Sequence, residues 1–132
     1  MSARSKARKR ALDLIFAAEA QGLTAAELLD AGEAPANEYT AELVRGVHEH
    51  RIRLDELISS YAEGWSLDRM PAVDRNVLRL GIYELLYSVD VPDAVAVSEA
   101  VNLVRDLSTD ESPGFVNGVL ANVARDKDRL TS

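Results

Sequence analysis

Val73-Asp74-Arg75-Asn76-Val77-Leu78-Arg79-Leu80-Gly81-Ile82-Tyr83-Glu84-Leu85 is the stretch that decides the fold. Its apolar residues Val73, Val77, Leu78, Gly81, Ile82 and Leu85 recur at helical spacing and mark one buried stripe. Pro71 stands just ahead of it, in the opening turn of a helix, where a missing N–H is no loss.

The same period runs through the rest of the chain. Ala7, Ala11, Leu14, Ile15 and Ala18 predict a first helix that stops at Gly22. Thr24 caps a short second helix through Leu28 and Leu29, and residues 31–37, with Gly32 and Pro35, read as a loop. Tyr39, Leu43, Val47, His50, Leu54, Leu57, Ile58 and Tyr61 predict one long helix of about six turns. Asn37 caps that helix, and Gly64 lies just past its end. Trp65–Met70 reads as a turn or short helix, and Val91-Pro92-Asp93 as a break. Val97, Ala100, Val101 and Val104 line the next helix. Ser112 is expected as the cap of the last one, with Pro113 at its first position and Phe115, Val116, Val119, Leu120 and Val123 on its apolar face. The expectation is an all-α single domain of residues 1–132, about seven helices in two packed subbundles. The division falls near Gly64, giving approximate subbundles of residues 1–64 and 65–132.

The chain has 132 residues and no cysteine. That length buries roughly 65–70% of the unfolded surface, enough for a core without staples. Absence of cysteine removes disulfides, thiolate metal sites and a cysteine nucleophile. No apolar run approaches the roughly 20 residues of a membrane span, and no secretory signal is present. The sequence therefore reads as a soluble cytoplasmic protein.

The formal charge of −7 is unevenly spread. Arg4, Lys6, Arg8, Lys9 and Arg10 crowd the first ten residues with no acid among them, while the remainder holds 10 basic and 22 acidic residues. Basic side chains at a helix start oppose the macrodipole, which invites a functional explanation. They neutralise phosphates and fork onto base edges. The plain alternative is a solvated terminus.

Other constellations are weaker. His48 and His50 lie about 200° apart on a helix, so they cannot share a metal, and neither a metal nor a cofactor is expected. The carboxylates and serines form no nucleophile–base pattern, and there is no phosphate-binding glycine loop, so no enzyme is expected. Gly46 and Gly81 suggest close helix approach, and interior packing is also the expectation for Gly114 and Gly118. Arg75, Arg79 and Tyr83 form a second stripe beside Asp74, suited to RNA, to a protein partner or to structural ion pairs.

The Val73–Leu85 segment resembles a signature of the NusB family of transcription antitermination factors. Val91-Pro92, Ser98-Glu99-Ala100-Val101-Asn102-Leu103 and Phe115-Val116-Asn117-Gly118-Val119-Leu120 resemble further parts of the pattern, in the same order. Arg4-Ser5-Lys6-Ala7-Arg8-Lys9-Arg10-Ala11-Leu12 is similar to that family's arginine-rich first helix. The resemblance implies two perpendicular three-helix subbundles and a noncatalytic role. It implies an adaptor that pairs with the small-subunit ribosomal protein NusE, binds boxA-type single-stranded RNA and serves the RNA polymerase elongation complex in antitermination and ribosomal RNA processing. It implies RNA contacts by Arg4, Lys6, Arg8, Lys9, Arg10 and Phe115. Asp74, Arg75, Tyr83 and Glu111 are the partner-face candidates, with Glu111 and Phe115 beside both surfaces. A homodimer is a further possibility. The chain departs from the pattern at Ser98, where the family more often has Asn, and at Gly114, where lysine is common. Two rivals stand beside this reading. One is a ribosomal RNA cytosine methyltransferase with a similar leading domain, disfavoured by the lack of cysteine and of a large second domain. The other is a protein-interaction module without direct RNA binding.

Overall fold

The computed structural model describes residues 2–31 and 37–132, so the expected loop at Gly32 and Pro35 lies outside the described residues. Eight α-helices and no strand are found among the described residues. They are α1 (Ala3–Gln21), α2 (Ala25–Asp30), α3 (Glu38–Glu49), α4 (Arg51–Tyr61), α5 (Ala72–Tyr87), α6 (Asp93–Leu107), α7 (Ser112–Arg125) and α8 (Lys127–Thr131), with a 3₁₀ turn at Leu67–Arg69. The all-α expectation holds.

Local chemistry sets most boundaries. The Ser2 hydroxyl accepts from the Ser5 N–H to start α1, and Gly22 ends it at φ 70°, a left-handed conformation that glycine adopts without strain. Thr24 and Glu27 close a reciprocal capping box on α2, and the Asn37 side chain accepts from the Thr40 N–H at the start of α3. Two expectations are corrected. The long Tyr39–Tyr61 helix is two helices, broken where His50 leaves helical geometry at φ −101° and ψ 15°. The His50 ring there stacks on Tyr87, centroids 3.9 Å apart. Ser112 is inside α7 and not its cap: its hydroxyl donates to Asp74 at 2.8 Å and accepts from the Thr109 N–H ahead of the helix.

Helix α5 is the spine. It packs against α1, α3, α4, α6, α7 and α8. Every residue from Asn76 to Leu85 is buried. The sequence predicts one apolar stripe, and the structure covers the helix all round, as a central helix requires. Two glycines permit this closeness. The Tyr83 ring occupies the space where a Gly46 side chain would begin, and a methyl on Gly81 would lie 2.8 Å from Leu120 Cδ1. Gly114 and Gly118 face open space, so interior packing does not account for them.

Candidate nucleic-acid interface

Burial on all sides leaves α5 with charged side chains that need partners. Glu84 is 2% exposed and receives Arg8, itself 4% exposed, through Nε at 2.8 and 3.0 Å. A second Arg8 nitrogen reaches Glu99 of α6 at 2.8 Å. The Tyr39 hydroxyl donates to Glu84 and the Ser5 hydroxyl to Glu99. Burial works against the Arg8 charge, but the Glu84 hydrogen bond and field hold it firmly protonated. Burial and the same carboxylate push the Tyr39 hydroxyl well above its ordinary range. Four helices thus meet at one guanidinium.

Arg8 therefore differs from the other cations of the N-terminal run. Its donors are used inside the protein, because its place on α1 points at α5. Lys6 and Arg10 are exposed and form no ion pair with any described residue. Lys9 pairs with Asp13 one turn on at 2.7 Å, in a half-exposed position. Arg4 lies over the Tyr39 ring, 4.4 Å from its centroid, and pairs with exposed Asp90 at 2.7 Å. Surface pairs of this kind are weak and exchange readily for phosphates.

The second stripe is structural. Arg79, 3% exposed, donates to Asp55 at 2.7 Å and to the Asn76 side-chain oxygen Oδ1 at 2.7 Å. Arg75 binds Glu19 at 3.1 Å, and Asn76 donates to the same carboxylate. Burial opposes ionisation of Glu19, but the Arg75 and Asn76 hydrogen bonds hold its carboxyl below the usual range. Tyr83 is buried against Gly46. Of the stripe's three possible roles, ion pairing across helices is the one seen in Arg75 and Arg79.

Asp74, Glu111 and Phe115 come together at the opposite end of α5 from Arg8. They line a groove of about 350 Å³ with Trp65, Arg69 and Met70. Asp74 is 3% exposed and accepts from Ser108 at 2.6 Å and Ser112 at 2.8 Å. Its carboxylate is thus mostly committed inside the protein. Phe115 lies beside Trp65, centroids 6.0 Å apart and rings tilted by 53°. From Asp74 to Glu84 the helix rises about 15 Å, so the aromatic groove and the basic turn of α1 are separate patches. The site roles of Trp65, Glu84, Glu99 and Tyr39 escaped the sequence reading. Only Trp65 left a signal, as the one tryptophan of the chain, set in a turn after Gly64. Among the described residues no cluster of metal-ligating side chains is present, and no helix is long and apolar enough to cross a membrane.

Comparison with known proteins follows the same lines. The model of the NusB family matches residues 5–125. A transcription antitermination protein NusB from Nocardioides sp. is 67% identical over 134 residues, spanning 98% of this chain and 99% of that protein. The structure of T. maritima NusB superposes with a TM-score of 0.85 at 34% identity, covering 95% of this chain and 92% of that one. A chain from a structure of antitermination factors NusB and NusE in complex with double-stranded RNA matches with a TM-score of 0.79 at 27% identity, covering 92% and 96%.

Proposed function

The chain belongs to the NusB family, and we propose that it is an RNA-binding adaptor of transcription antitermination. It binds boxA-type RNA together with NusE and acts in ribosomal RNA synthesis and processing. Its role is noncatalytic and its place is the cytoplasm, alongside the RNA polymerase elongation complex. The observation that carries the reading is the start of α1, with exposed Lys6 and Arg10 and surface-paired Lys9 on its outer face and surface-paired Arg4 beside Arg8. That segment is the dense positive patch of a chain otherwise strongly acidic. Phosphate contacts from it position the strand, and base contacts elsewhere specify it. Arg8 stays out of the contact set and fixes the pose of α1 on α5 and α6.

Two weak sites on one body make a reciprocal device. NusE tightens RNA by the same factor by which RNA tightens NusE. The test is a closed binding cycle, with RNA affinity measured with and without NusE and NusE affinity with and without RNA. Equal factors well above one support the adaptor. If NusE leaves RNA affinity unchanged, the joint surface does not exist.

A further inference from the structure

We propose that Tyr39 of α3 is a positioning residue for RNA binding, a platform that carries Arg4 of α1 and holds its guanidinium in the direction of the strand. The proposal rests on the RNA-binding reading above and adds to it a residue of another helix that acts through one cation of α1.

Tyr39 stands in the first turn of α3. Asn37 caps that turn by accepting from the Thr40 N–H at 2.8 Å, and the Thr40 hydroxyl donates to the Ala7 carbonyl oxygen of α1 at 3.2 Å. The Tyr39 hydroxyl donates to buried Glu84. Burial and that carboxylate push the hydroxyl well above its ordinary range, so it stays protonated and the bond persists. One end of the half-buried ring is therefore anchored in the cluster around Arg8.

Two guanidiniums use the ring. Arg4 lies 4.4 Å from its centroid and Arg8 5.7 Å. The two arginines are one helical turn apart, which sets both on the same side of α1. Arg8 is taken by Glu84 and Glu99. Arg4 donates from Nη2 to exposed Asp90, and among the described residues its Nε and Nη1 make no hydrogen bond. A phosphate can displace Asp90, because an exposed pair is weak, whereas a ring under the guanidinium plane leaves its donor edge free. Lys6, Lys9 and Arg10 rest on no aromatic ring among the described residues. Ordering a long side chain opposes each of their phosphate contacts, and for Arg4 the ring has done that ordering before RNA arrives.

A tyrosine that merely packs α3 on α1 lowers RNA affinity whatever stands at position 4. One that acts through Arg4 does so only while Arg4 is present. The full chain with NusE is titrated against a labelled boxA-type single-stranded RNA, following anisotropy. Tyr39→Leu is expected to weaken binding roughly two- to tenfold, the span for ordering one long side chain. Tyr39→Phe, which keeps the ring, retains most of the affinity. In an Arg4→Ala background Tyr39→Leu brings no further loss, and its affinity for NusE without RNA equals that of wild type. Proton spectra of the free chain give a readout that needs no RNA. Arg4 side-chain signals, identified by their loss in Arg4→Ala, are expected to be shifted by the ring in wild type and Tyr39→Phe and to return to ordinary positions in Tyr39→Leu. Far-ultraviolet circular dichroism confirms that the variants are folded. Wild type with unshifted Arg4 signals overturns the proposal, whatever the variants do. An equal loss in the Arg4→Ala background, or Tyr39→Leu that binds RNA as wild type, also overturns it and leaves the adaptor reading standing. Wild type that does not bind the RNA even with NusE overturns the adaptor reading itself.

Discussion

Asp74 and Glu84 are two buried carboxylates on one helix, and the protein satisfies them in different ways. Glu84 is met by a charge, with the Arg8 fork on one side and the Tyr39 hydroxyl on the other. Asp74 is met by neutral hydroxyls from Ser108 and Ser112. The first arrangement ties α1, α3, α5 and α6 at one point and closes the surface around it. The second meets the acid with hydroxyls alone and leaves a groove open beside it. Where an arginine is used up in holding helices together, it is lost to a ligand, and in the proposed function the binding falls to its neighbours on the outer face of α1.

Removing one partner from each arrangement separates them by size. Arg8→Ala strands Glu84 in the interior and is expected to lower stability by about 3–5 kcal/mol. Asp74→Ala takes the acceptor from two serine hydroxyls, which is expected to cost about 1–3 kcal/mol. Urea denaturation of both variants gives the order directly, and the reverse order breaks the comparison.

A smaller effect sharpens it through pH. Glu19 sits between Arg75, Arg79 and Asn76 with its carboxyl held below its ordinary value of 4.5. A carboxyl with a depressed folded value stabilises the protein above its unfolded value and loses that contribution as pH falls through the folded one. The stability gap between wild type and Glu19→Gln is therefore expected to be full above pH 4.5 and to shrink steadily below it. A gap that stays constant into acid contradicts the role of Arg75 and Asn76 as its partners.

Apolar spacing made most of the fold legible. Val77, Leu78, Ile82 and Leu85 fall on the spine as the period requires, and Gly22, Thr24 and Asn37 end or begin helices by their own local chemistry. The break at His50 was not legible, because apolar spacing continues across it and the stacking on Tyr87 joins residues far apart in sequence. The basic run was legible as charge and only in part as geometry. Helical spacing sets Arg8 inside the stripe of Ala7, Ala11 and Ile15, but its partners lie 76 and 91 residues away, so the ion pairs themselves were not legible. Asp74 and Tyr83 look like surface residues while α5 is imagined with one buried stripe, and become interior once helices cover it all round.

Lys6→Ala/Lys9→Ala/Arg10→Ala is the variant that tests the division of labour on α1 most directly. These side chains lie outside the buried cluster, so stability is expected to change by less than about 0.5 kcal/mol per residue. RNA affinity in the presence of NusE, measured by anisotropy at two salt concentrations, is expected to fall, with the salt slope smaller by about 2 because three phosphate contacts to a single strand are gone. An unchanged affinity and slope in this variant contradicts the account, and leaves the basic turn of α1 as a solvated helix start.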